Sequence, residues 1–192
     1  MWNDENLINT LKENGVAVIP TDTIYGIVGK AQNKSVVNRI YEIRKRNPEK
    51  PFIILIGDIS ELNKFSIILS DAQKNKIKEY WSFDSAQDFQ PAPTSIILEC
   101  PNDSFSYLHR GTKTLAFRLP YPESLRSLLI ETGPIIAPSA NIEGLPPAEN
   151  ILEAEKYFGI LVDLYIDGGT IVGKASKVIK LHKDGSVNIL RA

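Results

Sequence analysis

Polar residues that follow short apolar runs are the groups of this sequence best placed to do chemistry, because ligands of α/β folds sit beyond the strand ends while the interior stays apolar. Three such clusters occur: Pro20-Thr21-Asp22-Thr23-Ile24-Tyr25-Gly26, Pro138-Ser139-Ala140-Asn141-Ile142-Glu143-Gly144 and Asp167-Gly168-Gly169-Thr170. Taken singly, each has a plain structural explanation, since Thr, Ser, Asn and Asp cap helices and make turns. A fourth group is basic: Arg39, Arg44, Lys45, Arg46 and Lys50 are set against only Glu42 and Glu49. Cations near a helix C-terminus complement the helix dipole and often do nothing more than face solvent. Their crowding points further, because guanidinium groups grip phosphate through paired donors and lysine adds a point charge, a mixture suited to a polyphosphate.

Other chemistries are poorly provided for. There is no G-x-x-x-x-G-K-[ST] phosphate loop, and no glycine-rich dinucleotide fingerprint follows the first strand. His109 and His182 stand far apart with no cysteine or carboxylate at ligand spacing, which argues against zinc and makes each a surface or internally satisfied histidine. Ser139 is not in a G-x-S-x-G elbow, so no protein nucleophile and no catalytic side chain of that kind is expected. Cys100, the one cysteine, closes an apolar run and reads as a small core or edge residue in a reducing compartment. The formal net charge of -1 removes any global attraction to nucleic acid or acidic membranes, so an anion site has to be a local concentration of cations.

These clusters need elements to hold them. Leu7, Ile8 and Leu11 recur at helical spacing until Gly15 stops the pattern, and Val36, Val37, Ile40 and Tyr41 predict a second helix running into Arg44-Lys45-Arg46. Helical character returns at residues 71–80, 123–130 and 149–158, while strands are expected at 16–19, 52–56, 94–99, 114–119, 135–137, 161–166, 177–181 and 187–190. Asp184-Gly185 predicts a hairpin turn between the last two, which makes the sheet mixed. The reading is an α/β (α+β) fold, one domain over residues 1–192, with helices covering a twisted mixed sheet. The first residues carry Asp4, Glu5, Lys12 and Glu13, unlike a signal or transit peptide, and no stretch approaches the ~20 apolar residues of a membrane span, so a cytoplasmic protein is expected, with no membrane partner.

Taken in order, the clusters resemble the YrdC family of threonylcarbamoyl-AMP synthases. The resemblance is carried by Pro20 to Gly26, by Arg44-Lys45-Arg46 with Lys50-Pro51-Phe52, by Ala116-Phe117-Arg118-Leu119-Pro120, by Ala137-Pro138-Ser139-Ala140-Asn141, and by Ile189-Leu190-Arg191. It implies a twisted mixed sheet around a positively charged concave cavity, in a short form without the C-terminal extension domain of some members. It also implies a nucleotidyltransferase reaction in which L-threonine, bicarbonate and ATP, with Mg²⁺ accompanying the ATP, give threonylcarbamoyl-AMP and pyrophosphate. A partner transferase complex would then modify a tRNA adenosine. By position, Thr21, Thr23, Tyr25, Arg118 and Ser176 would form the threonine site. Arg44, Arg46 and Lys50 would hold the triphosphate, and Thr94, Ser139, Asn141 and Arg191 would meet the nucleotide. The chain departs from the family pattern at Arg44 in place of a lysine, at Gln90-Pro91-Ala92-Pro93, at Glu143, at Lys177 and at the terminal Ala192. The departures at Ala92, Glu143 and Lys177 motivate the alternative expectation, a related protein that binds nucleotide or structured RNA, tRNA or double-stranded RNA, without making the adenylate.

Overall fold

A computed structural model describes residues 1–81 and 92–192; Gln90 and Pro91 lie outside the described residues. Helix α1 (Glu5–Lys12) starts at Asp4, whose carboxylate accepts from Leu7 N, and buries Leu7 and Leu11. Its end corrects one detail of the sequence reading. The left-handed residue is Asn14 (φ 67°), not Gly15. Asn14 N donates to Leu11 O and Gly15 N to Thr10 O, the paired bonds of a Schellman turn, in which Asn is the usual substitute for glycine. Gly15 is there for space: a Cβ on it would lie 2.6 Å from Thr10 Cγ2.

Helix α2 (Lys34–Ile43) is capped by Asn33, whose side chain accepts from Ser35 N and Val36 N, and it buries Val36, Val37, Ile40 and Tyr41. It ends in the same turn, with Lys45 N donating to Glu42 O and Arg46 N to Tyr41 O. Here the left-handed position falls on Lys45 (φ 50°). The remaining helices are α3 (Asp71–Tyr80), α4 (Ser106–His109), α5 (Glu123–Thr132) and α6 (Ile151–Phe158).

The strands are β1 (Ala17–Pro20), β2 (Tyr25–Lys30), β3 (Ile53–Leu55), β4 (Thr94–Glu99), β5 (Thr114–Arg118), β6 (Ile135–Ile136), β7 (Leu164–Tyr165), β8 (Lys177–Leu181) and β9 (Val187–Arg191). Among the described residues they form one nine-stranded sheet in the order β7-β1-β2-β6-β3-β5-β4-β8-β9. It is mixed: β1–β7, β3–β5 and β4–β8 are parallel and the other neighbours antiparallel, including the β8–β9 hairpin. Strand β2 has no counterpart in the sequence reading, which placed Tyr25 and Gly26 in a loop. Gly26 and Gly29 dilute its apolar signal, yet both are there because something approaches closely. Ile27 N bonds Pro138 O beside Gly26, and a Cβ on Gly29 would lie 2.4 Å from Val36 Cγ1 of α2. Strand β7 is shorter than the expected 161–166, and Leu161 belongs instead to a 3₁₀ turn, Gly159–Leu161.

Side chains alternate between two apolar layers, as a strand's period of two requires. Ala17, Ile19, Val28 and Leu55 join α1 and α5 on one face, while Val18, Ile27 and Ile54 join α2 and Phe158 of α6 on the other. Cys100 lies in the second layer. Further along the sheet, Leu115 and Phe117 face that layer, leaving Thr114, Ala116 and Arg118 to look the opposite way into open space. Among the described residues no helix is long and apolar enough to cross a membrane.

A non-glycine residue in the left-handed region costs on the order of 1 kcal/mol. Lys45→Gly is expected to raise stability by about 1 kcal/mol in urea denaturation, by relieving that cost at an exposed position.

Candidate functional site

Residues of β3, β4, β5, β8 and β9 form the floor of a cavity of about 450 Å³, and the turns after β1, α2 and β6 form its walls. Ile53, Ala116 and Ile97 make a cross-strand row on the floor, since Ile53 pairs with Ala116 and Ala116 with Ile97. Of the residues singled out by resemblance, Thr21, Thr23, Tyr25, Arg44, Arg46, Arg118, Ser139, Ser176 and Arg191 all line this one cavity. Lys50, Thr94 and Asn141 do not. Among the described residues the lining contains four arginines and no carboxylate, a local concentration of positive charge in a chain that is nearly neutral overall.

Arg44 is 2% exposed. Its Nε donates to Asn141 O at 3.0 Å and its Nη2 to Asn141 Oδ1 at 2.9 Å and Ser139 Oγ at 3.3 Å. Ser139 Oγ in turn donates to Asn141 Oδ1 at 2.6 Å, while Asn141 Nδ2 donates to Ile142 O and Leu145 O. Every polar atom of the Asn141 side chain is thus spent on the protein, and Asn141 positions the arginine instead of reaching the cavity. Desolvation, with the neighbouring Arg46 charge adding to it, lowers the Arg44 guanidinium to about 10. Phe52 lies beneath both cations, 5.2 Å from the Arg46 guanidinium and 6.0 Å from that of Arg44.

Lys50 and Glu143 account for each other. Lys50 Nζ meets Glu143 Oε1 at 2.6 Å, Glu143 Oε2 accepts from Asn47 N at 2.5 Å, and Glu143 N donates to Arg44 O. Glu143, a departure from the family pattern, does not line the cavity and instead braces the basic turn. The Lys50 hydrogen bond, backed by Asn47 N–H, holds the Glu143 carboxyl below the usual carboxylate range. Thr94 is buried in β4, where its hydroxyl donates to Ala92 O and its carbonyl accepts from Trp81 Nε1. Lys177 falls between Ser176 and Val178, which line the cavity; the strand period turns it outward, 5.9 Å over the Tyr80 ring.

At the end of β5, Arg118 Nη2 meets Asp22 Oδ1 at 2.8 Å and Thr23 Oγ1 at 3.4 Å, with both charged side chains only 4% exposed. Asp22 was quoted in the first motif but given no role, because its partner stands 96 residues away in sequence. Thr21 Oγ1 donates to Ile24 O at 2.7 Å and accepts from Thr23 N, a hydroxyl turn that shapes the wall after β1. The Tyr25 hydroxyl donates to Gly169 O and accepts from Gly168 N, each at 2.8 Å, so it pins the third polar cluster to β2. Burial raises the phenol above its usual value. Gly173 then crosses so close to Thr23 that a Cβ would lie 2.0 Å from its carbonyl oxygen. Arg191 Nε donates to Ser176 O at 2.8 Å, and Ser176 Oγ shares a hydrogen with Ser95 Oγ at 2.8 Å. Burial, reinforced by the Arg118 charge, lowers the Arg191 guanidinium from its usual value.

Two donors in this arrangement are unspent: Arg44 Nη1 and Arg118 Nε are buried without a hydrogen-bond partner among the described residues. Buried orphan donors are costly and rare, and both belong to guanidiniums that line the same cavity. The arrangement can bind and neutralise an anion with several charged oxygens; it offers no activated nucleophile.

Comparison with known proteins agrees with this geometry. The family model described as Telomere recombination (Sua5, YciO, YrdC) matches residues 9–192. A threonylcarbamoyl-AMP synthase of Bacillus subtilis is 33% identical over 177 residues, covering 91% of this chain and 49% of that protein. Sua5 of Pyrococcus abyssi in complex with L-threonine superimposes with a TM-score of 0.79 at 27% identity, covering 97% of this chain and 52% of that one. YciO of Escherichia coli, at 24% identity and a TM-score of 0.78 over 97% of this chain and 86% of that one, adds a likeness of fold. The chain spans about half the length of the first two curated relatives it matches.

Removing the carboxamide that holds Arg44 leaves a buried charge short of acceptors. Asn141→Ala is therefore expected to cost roughly 2–4 kcal/mol in urea denaturation. Adding Arg44→Met to it is expected to cost less than the sum of the two single changes. Glu143 supplies a pH signature. Its lowered native value means that its stabilisation is complete above the unfolded value near ~4.3 and is lost as pH falls through the native one. The stability gap between wild type and Glu143→Gln is expected to be present at neutral pH and to close as the medium is acidified.

Proposed function

The chain belongs to the Sua5/YciO/YrdC family, and from that premise we propose that it is a threonylcarbamoyl-AMP synthase, forming the adenylate and pyrophosphate from L-threonine, bicarbonate and ATP. The observation that carries the reading is a pair of guanidiniums, each with one buried donor, Arg44 Nη1 and Arg118 Nε, that finds no partner among the described residues, both lining one cavity where no described residue brings a carboxylate. Arg44 would take a polyphosphate and Arg118 a carboxylate. Supporting it, two of the departures that favoured a non-synthetic relative are directed away from the cavity: Glu143 braces Lys50, and Lys177 lies over Tyr80.

In this mechanism the threonine amine condenses with bicarbonate, losing water, to give a carbamate. A carbamate oxygen attacks the α-phosphorus of ATP; the Pα–O bond to the β-phosphate breaks, and pyrophosphate departs with the bonding electrons. Arg118, held by Asp22, would take the threonine carboxylate through the guanidinium edge that Asp22 leaves free. Thr23 and Ser176 would border the amino acid, and Ser139 the nucleotide. Arg44 and Arg46 would hold the triphosphate while Arg191 closes on the nucleotide side, so that fixed charges neutralise the leaving group without reorganising. Among the described residues no group of His, Cys, Asp or Glu could hold a metal ion by itself, so Mg²⁺ belongs to this proposal as the counter-ion that ATP brings, keeping waters and phosphate oxygens as ligands. The adenylate would pass to a tRNA-modifying transferase complex in the cytoplasm.

Pyrophosphate release is expected to require ATP, bicarbonate and L-threonine together. A folded chain that releases none at saturating substrates, and whose ATP affinity is indifferent to threonine, would instead be the nucleotide- or RNA-binding relative. Arg118→Lys cannot hold Asp22 and a carboxylate at once and is expected to raise the KM for threonine on the order of tenfold. Arg46→Ala is expected to weaken ATP binding by about 1–3 kcal/mol in calorimetric titration.

A further inference from the structure

Arg46 lines the cavity and also a second, more open groove of about 370 Å³, bordered by Asn38, Tyr41, Glu42, Lys45 and Arg110. Three cations meet there, and none forms an ion pair among the described residues even though Glu42 borders the same groove. Elsewhere on the surface Lys12, Arg39, Lys64 and Lys113 each sit against a carboxylate. Arg46 spends only Nε, on Lys50 O, and Arg110 spends only Nη2, on Asn38 Oδ1, so the remaining guanidinium donors and the Lys45 ammonium are unspent. Two of the three, Lys45 (φ 50°) and Arg110 (φ 48°), are held in the left-handed backbone region that disfavours side chains.

The groove offers no platform for a base. Phe52 stacks on the Tyr41 ring at 4.0 Å between centroids, and the Arg110 guanidinium lies 4.1 Å from the same ring, so both faces of the tyrosine are covered. What fits is a compact polyanion, bound by charge-assisted hydrogen bonds and lacking any ring to stack. Because Arg46 is shared with the cavity, a polyanion leaving the triphosphate site can exchange onto the groove without giving up that arginine.

We propose that this groove is a pyrophosphate site, a waystation through which the leaving group is drawn out of the cavity and at which added pyrophosphate binds. The assignment of pyrophosphate rests on the adenylate-forming reading; the titration below needs no turnover, so the two can fail separately. The full chain is saturated with α,β-methylene-ATP and L-threonine, which cannot release pyrophosphate, and titrated calorimetrically with pyrophosphate. Lys45→Gln and Arg110→Gln are expected each to weaken its binding on the order of tenfold. Glu42→Gln, which removes the opposing charge, is expected to tighten it about twofold, a gain that misfolding could not produce. All three should leave the affinity for the ATP analogue within about twofold, since none of these residues lines the cavity. Pyrophosphate binding unchanged in both Lys45→Gln and Arg110→Gln would overturn the site. Loss of binding to a short RNA duplex in those variants, with pyrophosphate unaffected, would overturn it in favour of a nucleic-acid backbone. A chain that makes no adenylate but shows the expected shifts keeps the site and loses the reaction.

Discussion

A guanidinium taken almost wholly out of water organises one end of this molecule. Burying a charge costs several kcal/mol unless its donors are met, and Arg44 meets that cost with the backbone and side chain of Asn141 and the hydroxyl of Ser139. The same contacts tie the end of α2 to the loop after β6, elements far apart in sequence. The Schellman turn at Lys45 allows this, because it reverses the chain immediately after Arg44 and sends Arg46 out along the cavity rim. The end of α2 and the loop after β6 are therefore held together by one charge and its acceptors.

The same economy governs the rest of the charge. Lys50 and Arg118 each hold a carboxylate, Glu143 and Asp22 respectively, but the two pairs serve different ends. The exposed one braces a turn, whereas the buried one leaves Arg118 Nε without a partner among the described residues. Arg44 and Arg191 are both pushed below the usual guanidinium value, by burial first and by a neighbouring arginine second. An apo cavity in which like charges repel and donors go unmet is a poor structure and a good receptor, because an anion relieves both costs at once.

How far this could be read beforehand differs from residue to residue. The helices at 5–12 and 34–43 were legible because their apolar residues recur at helical spacing, whereas 71–80, a polar stretch that buries only Gln73 and Ile77, showed helical character without a clear apolar stripe. Strand β2 was not, because Gly26 and Gly29 are chosen for the close approach of neighbours rather than for strand character. The role of Asp22 was hidden for a different reason: an ion pair across the sheet leaves no periodic trace in sequence. The pinning of Gly168 and Gly169 by Tyr25 was likewise invisible, since a tyrosine in a polar motif looks the same whether its hydroxyl faces a ligand or a backbone.

By itself the sequence determined the mixed α/β architecture, the family and most of the residues that converge on the cavity, because local spacing dictates elements and ordered motifs survive divergence. Only the tertiary structure decided which of those residues face the cavity. Asn141 and Thr94 spend their side-chain polar atoms within the protein, Lys50 is drawn to Glu143 outside the cavity lining, and Lys177 is carried outward by strand alternation. The physical reason is that a motif records which side chains are present near a site, whereas the hydrogen bonds and charges still unspent there depend on partners that folding brings from elsewhere in the chain.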